Sequence, residues 1–282
     1  MSHKFRFSKE SRARMKSFAI GEESPAKEPA EELREAEEPE EQLPDLPLIV
    51  ETRTDVGRVR ASNQDTLIEG ERLWGVADGM GGHNGGETAS KGARDALIEA
   101  LRDLEPSPEA LRAGIEEANA RLFQQQKEDA SLAGMGTTLT ALWLSDHFVY
   151  IGHVGDSRAY LVRDGRMRQM TSDHSLVAEL FRMGQLTREQ AANHPMRNVI
   201  TRAVGTEAGI EADLIVEERR KGDLWLVCSD GLYGMVEDDR IEAALTAHTP
   251  AKAADLLMDM ALKAGGRDNV SLVVLLDREG GQ

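Results

Sequence analysis

Short apolar runs of strand length alternate along this chain with longer stretches of helical period. Leu48 to Thr54 has the β-branched content of a strand and ends near Gly57. Leu73 to Ala77 is a second apolar run, closed by Asp78-Gly79 and the glycine-dense loop Met80 to Gly86. Glu87 to Leu104 then repeats with helical period, and Ser107 followed by Pro108 marks the start of a second helix running to about Lys127. Thr137 to Thr171 is β-rich: Thr138 to Trp143, Phe148 to Gly152 and Ser157 to Val162 are separated by turns at Asp146 and Asp164-Gly165, a spacing that predicts antiparallel hairpins. From His174 to Arg197 the chain becomes helical and polar, with Thr187 and Gln190 placed as a capping box, and strands are expected again near Ile200. Leu214 to Val216, Leu224 to Cys228 and Val270 to Leu276 are further strands; Asp238 to Ala247 and Pro250 to Gly265 are helices. Strands in clusters, interrupted by paired helices, predict an α+β layered domain rather than a parallel doubly wound sheet. The segment from His174 to Arg197 reads as an insertion over the sheet.

Charge divides the chain where the periodicity begins. The net charge of −16 over 282 residues disfavours unaided binding to nucleic acid or anionic lipid. Lys4 to Lys16 is basic, whereas Glu22 to Asp45 holds eleven acids and two bases among prolines. Such a stretch buries too little apolar surface to offset chain entropy. Residues 1–46 are therefore expected to be a disordered charged tail, and 47–282 the folded domain. The longest apolar runs, such as Leu272 to Leu276, fall far short of the roughly 20 residues of a membrane span. With no apolar signal core at the N-terminus, a cytoplasmic, monomeric protein is expected. Cys228 is the single cysteine, so neither a disulfide framework nor a cysteine zinc site is available.

The candidate chemistry lies in aspartates at the ends of these runs: Asp65, Asp78, Asp156, Asp230 and Asp268. Singly, each is an ordinary turn residue. As a set on one sheet edge they would repel one another unless a hard cation neutralised them, and oxygen-only ligation suits magnesium or manganese. Two such ions support in-line phosphoryl transfer without a nucleophilic side chain.

Arg60-Ala61-Ser62-Asn63-Gln64-Asp65, Asp78-Gly79-Met80-Gly81-Gly82-His83, Gly136-Thr137-Thr138, Gly155-Asp156-Ser157-Arg158, Ser229-Asp230-Gly231-Leu232 and Asp268-Asn269-Val270-Ser271 occur in this order. Together they resemble the bacterial members of the metal-dependent protein phosphatase family, type 2C, over about residues 48–277. The resemblance implies a four-layer α-β-β-α sandwich of two antiparallel sheets flanked by helices, with a dinuclear Mn2+ or Mg2+ site. It implies hydrolysis of phosphoserine and phosphothreonine by in-line attack of a metal-bridging hydroxide. By the same resemblance, Asp78 would bridge both ions and Asp230 and Asp268 would complete one. Asp65 and the Gly79 carbonyl would hold the other, and Asp156 with Asp230 a weaker third ion. Arg60 would grip the substrate phosphate. His83 is either the proton donor to the leaving alkoxide or a structural loop histidine. The segment His174 to Arg197 would be the family's variable flap, with His174 near the site or capping the following helix. Phosphoproteins are the implied partners, through a serine/threonine kinase and its forkhead-associated or secretion-system targets in signal transduction.

Two other readings compete. A nucleotide-binding protein could use Met80 to Gly86 as a phosphate cradle, but that loop has neither a P-loop lysine nor dinucleotide-binding spacing. A pseudophosphatase or phosphoprotein-binding regulator of the same fold would show lost metal carboxylates, and all five are present.

Overall fold

The computed structural model describes residues 47–81, 85–192 and 194–281. The expected 1–46 tail and His83 lie outside them. Eleven strands form two antiparallel sheets among these residues. The first sheet holds β1 (Leu48–Asp55), β11 (Val270–Asp277), β10 (Leu224–Cys228), β7 (Arg158–Arg163) and β8 (Arg166–Gln169), in that spatial order. The second holds β2 (Asp65–Gly70), β3 (Leu73–Met80), β5 (Leu139–Leu144), β6 (Phe148–Val154) and β9 (Asp213–Glu218), with the short β4 (Gly136–Thr137) paired to the end of β3.

Alternation within each strand sorts side chains into layers. Leu142, Val149 and Ile151 of the second sheet meet Leu161, Trp225, Val227, Val273 and Leu275 of the first in a core between the sheets. The opposite face of the second sheet is covered by α1 (Gly85–Leu101) and α2 (Pro108–Glu128), which bury Leu97, Leu111, Ile115 and Leu122. The outer face of the first sheet packs on α6 (Asp238–Ala247) and α7 (Pro250–Lys263) through Ile241, Leu245, Ala254 and Leu257. These are the four layers expected. Each fully buried Leu or Ile contributes about 1.5–3 kcal/mol of transfer free energy, so aliphatic side chains suffice for a protein with few aromatics.

Local signals placed most elements. Ser107 Oγ accepts a hydrogen bond from Ala110 N with Pro108 in the first turn of α2, and Thr187 and Gln190 form the reciprocal capping box before α4 (Arg188–Ala192). Several expectations need correction. Asp65 begins β2 rather than following a strand, and Asp78 lies inside β3 because pairing with β4 carries that strand on to Met80. No strand forms at Ile200: the chain there crosses the base of the 174–201 segment and makes only isolated bridges, Ser175 with Ile200 and Thr137 with Val204. The cap of α3 (Leu176–Arg182) is Ser175, whose hydroxyl accepts from Ala178 N, and not His174, which is buried. Among the described residues, no helix is long and apolar enough to cross a membrane.

Candidate metal centre

At one end of the sandwich the strands deliver five carboxylates. Asp65 and Asp78 face each other directly in the antiparallel β2–β3 register, which puts their Cβ atoms about 4.5–5.5 Å apart on one face of the sheet. Asp156 follows β6 through Gly155, whose φ of +104° is accessible to glycine at little cost. Asp230 is the first residue of α5 (Asp230–Tyr233), a single turn at the end of β10, and Asp268 precedes β11. α5 comes so close to the next loop that a Cβ on Gly231 would meet Asn269 O at 2.0 Å, so Ser229-Asp230-Gly231 and Asp268-Asn269 interlock at the backbone. Gly79 is confined in the same way, between the carbonyls of Gly86 and Gln64.

The backbone around the acids is pinned. Thr138 Oγ1 accepts from Asp78 N at 2.9 Å, while Thr138 N and Thr137 Oγ1 donate to Asp78 O. Asn269 holds the loop that carries Arg60: its Nδ2 donates to Val56 O and Ser62 O, and its Oδ1 accepts from Gln64 N. Arg60 Nη2 reaches Asp268 Oδ2 at 2.6 Å. Ser229 Oγ donates to Asp65 Oδ2 at 2.7 Å and accepts from Ser271 N.

The electrostatics are those of a site assembled for cations. Asp65 is 8% exposed, and its Oδ1 has no hydrogen-bond partner. An unpartnered buried carboxylate oxygen is costly. Burial, with Asp268 adding, pushes the Asp65 carboxyl up to about 6 against the opposing Ser229 hydrogen bond. Burial and then Asp156 and Asp268 push Asp230 to about 8, and burial together with Asp173 pushes Asp156 to about 6. Asp78 is held well above the carboxylate range by burial and by the charges of Asp65, Asp230, Asp156 and Asp268. Like charges on buried groups favour their protonated forms, and a hard divalent ion neutralises them without the proton. Every side-chain donor of the set is an oxygen, so the residues present fit Mg2+ or Mn2+. Among the described residues, no three of these side chains close into a chelating cluster. Asp268 is engaged by Arg60 and Asp65 by Ser229. Concavities elsewhere, one around Arg202 and Glu207 and one around Pro47 and Lys221, contain none of the five.

The structure thus brings Arg60, Asp65, Asp78, Gly79, Asp156, Asp230 and Asp268 to one edge. Roles for Thr138, Ser229 and Asn269 were not assigned from sequence, although all three sit inside the same motifs.

Comparison with known proteins gives a concordant result. The family model for protein phosphatase 2C matches residues 58–264. The serine/threonine protein phosphatase PstP of Mycobacterium tuberculosis is 42% identical over 235 residues, covering 82% of this chain and 45% of that protein. This chain therefore spans about half the length of that relative. The serine/threonine phosphatase stp of Listeria monocytogenes is 39% identical over 241 residues, covering 81% of this chain and 95% of that one. A solved catalytic domain of PstP in complex with two manganese ions is 39% identical, has a TM-score of 0.76, and is matched over 82% of this chain and 99% of its own. With its family model, its fold and its order of motifs in agreement, the chain belongs to the protein phosphatase 2C family.

Proposed function

We propose that this chain is a metal-dependent protein serine/threonine phosphatase hydrolysing phosphoserine and phosphothreonine. The observation that carries the reading is Asp65 opposite Asp78 across β2–β3, with Asp65 Oδ1 buried and unpartnered. Asp78, Asp230 and Asp268 would hold one divalent ion, Asp78, Asp65 and the Gly79 carbonyl a second, and Asp156 with Asp230 a weaker third. When bound, Mn2+ or Mg2+ supplies Lewis acidity, acidifying water and neutralising phosphoryl charge.

The chain's own residues do the rest. Arg60, half-exposed beside Asp268, presents a planar donor fork to the phosphate oxygens and orients the phosphoryl group for in-line displacement. Its guanidinium is held further into the charged range by the Asp268 hydrogen bond, so it stays cationic at every working pH. Asn269 fixes the loop bearing Arg60, and Thr138 fixes Asp78 against recoil from its neighbours. His83 is assigned as proton donor to the leaving alkoxide from its place in the Asp78-Gly79-Met80-Gly81-Gly82-His83 motif. The 174–201 flap borders the site and selects among phosphoproteins, with a serine/threonine kinase and its substrates as the partners of a cytoplasmic monomer.

Dephosphorylation of a phosphothreonine peptide, with and without Mn2+, tests the reading. Metal-dependent turnover is expected, and turnover that persists after chelation overturns it. The His83 assignment has its own check: His83→Ala should slow phosphoserine hydrolysis strongly and hydrolysis of p-nitrophenyl phosphate weakly, because nitrophenolate leaves without a proton. Equal losses on both substrates exclude the role.

A further inference from the structure

We infer that Arg158 and Tyr233 are positioning residues that tie the carboxylates Asp156 and Asp230 to each other and to the base of the 174–201 flap. The inference rests on the assignment of Asp156 and Asp230 as metal carboxylates. Tyr233 closes the single turn that Asp230 opens, and its hydroxyl donates to the backbone carbonyl of Asp156 at 2.9 Å. One side chain thereby spans two strand ends that are 74 residues apart in sequence. Arg158 lies over the Tyr233 ring, its Cζ 3.7 Å from the ring centre, and fixes the ring's plane by cation–π contact.

The same guanidinium forks onto Asp173, Nε to Oδ1 at 3.0 Å and Nη2 to Oδ2 at 2.7 Å, with its third nitrogen donating to Tyr160 Oη. Asp173 immediately precedes the flap. The next residue, His174, clasps Gly155 from both sides: its N–H donates to Gly155 O at 2.7 Å, and its Nδ1 accepts from Gly155 N at 3.1 Å. Its Nε2 lies between Asp213 Oδ2 at 3.2 Å and Arg202 Nη1 at 3.1 Å. His174 O in turn accepts from Thr201 N, so both ends of the flap meet at this point. Asp156 is therefore held by the flap base through Gly155 and by the Asp230 turn through Tyr233, with Arg158 bracing both.

A general stabilising role is a poor account of this arrangement. A buried ion pair contributes little net stability on its own, yet this one packs on the Tyr233 ring that joins the turns bearing Asp156 and Asp230. Partners that orient ligands from behind set metal affinity, and their loss typically costs about 10–100-fold.

Calorimetric titration of Mn2+ into metal-stripped full-length protein decides the matter, with melting of the metal-free form alongside. Arg158→Lys keeps the charge and loses the fork and the stacking; Mn2+ affinity should fall about 10–100-fold. Tyr233→Phe removes one hydroxyl and should weaken Mn2+ several-fold with metal-free melting nearly unchanged, a result that a structural role alone would not produce. It also serves as the test if Arg158→Lys does not fold. In hydrogen exchange, Mn2+ should slow the amides of residues 176–201 in the wild type and slow them less in both variants. Mn2+ affinity within twofold of wild type in Tyr233→Phe, while Asp230→Asn loses binding, overturns the inference alone. Undiminished Mn2+ binding by Asp230→Asn overturns the site assignment, and the inference with it. Flap exchange in the wild type that ignores Mn2+ removes the link to the flap.

Discussion

The sandwich carries buried acids at both of its ends, and the two ends treat them oppositely. At the end away from the metal centre, Asp223 and Asp277 are 1% and 0% exposed, and each faces an arginine fork: Arg163 Nε and Nη2 reach Asp223 at 2.8 Å, and Arg219 grips both oxygens of Asp277. Arg163 also reaches Glu217 of β9, and Arg219 donates to Ser145 O, so these pairs bolt the two sheets together. At the other end Asp65, Asp78, Asp156 and Asp230 crowd one another, and the arginines nearby are spent elsewhere, Arg60 on Asp268 and Arg158 on Asp173. A fold that compensates buried carboxylates so fully at one end leaves them without an arginine at the other, which is where the proposed cation would complete them. The lesson is that a buried acid is informative through its partner.

The largest effects should come from exchanging an acid for its amide at each end. Asp78→Asn or Asp230→Asn should abolish turnover, a loss of at least several kcal/mol of transition-state stabilisation. The same change should leave the metal-free protein folded and as stable as before or more so, since a neutral amide of the same shape replaces a buried acid whose ionisation its neighbours oppose. Asp277→Asn should do the reverse. It strands Arg219 and costs about 3–5 kcal/mol of stability, while the folded fraction keeps wild-type kcat. Melting curves paired with kcat for the three variants check this. If Asp78→Asn melts far below wild type, or Asp277→Asn loses kcat, the contrast between the two ends fails.

How far the sequence disclosed this contrast depends on range. Asp230 and Asp268 were legible because Ser229-Asp230-Gly231-Leu232 and Asp268-Asn269-Val270-Ser271 are compact motifs beside strong apolar strands. β2 was not: Asp65-Thr66-Leu67-Ile68 is too short to declare a period, and only its pairing with β3 makes it a strand. α5 escaped for the same reason, being four residues long. α1 begins in glycines that propensity disfavours, because its first turn abuts β3 closely enough that a Cβ on Gly86 would meet Gly79 O at 2.7 Å. It ends at Leu101, short of the expected Leu104, where Leu104 N turns back onto Leu101 O ahead of Pro106. The arginine forks at 163 and 219, and the Arg158–Tyr233 brace, join residues 54 to 75 positions apart. No local pattern encodes such a partnership.

Acidity should separate the two states of the metal end. In the metal-free protein the raised carboxyls of Asp65, Asp156 and Asp230, at about 6, 6 and 8, mean that the folded state binds more protons than the unfolded one. Their contribution is fully present below the unfolded pKa of about 4 and is lost as pH rises through the folded values. His153, buried and pushed down to about 4 by desolvation and by His174, acts with opposite sign. It binds fewer protons when folded, so its contribution is present above about 6.5 and is lost as pH falls toward 4. His153 is common to metal-free and metal-loaded protein, so it drops out of the difference between them. Because Mn2+ replaces protons, a fixed Mn2+ concentration should raise Tm more at pH 8 than at pH 5.5; a hundredfold excess over Kd corresponds to about 2.7 kcal/mol of stabilisation. An increment independent of pH, measured by melting with and without Mn2+ across that range, would show that these carboxylates are not the ligands.

The smallest expected effect concerns the exposed arginine–carboxylate pair at the metal end, Arg60 with Asp268. Arg60 meets Asp268 through a single nitrogen with half of its side chain in water, whereas Arg163 and Arg219 are mostly enclosed and bidentate. An exposed pair contributes about 0–1 kcal/mol, so Arg60→Ala should lower metal-free Tm barely at all. A phosphate dianion is a better partner for the fork than one carboxylate oxygen, and a charged hydrogen bond contributes about 1.5–3 kcal/mol, corresponding to a loss of roughly tenfold or more in kcat/KM. That loss should fall mainly on KM, since the contact exists before the phosphoryl group moves. Lysine at position 60 should restore charge without the fork, giving partial recovery. Steady-state kinetics of wild type, Arg60→Ala and Arg60→Lys at saturating Mn2+ provide the measurement. An unchanged KM in Arg60→Ala, or a fall in Tm matching that of Arg219→Ala, would place Arg60 with the structural arginines and leave the phosphate without its clamp.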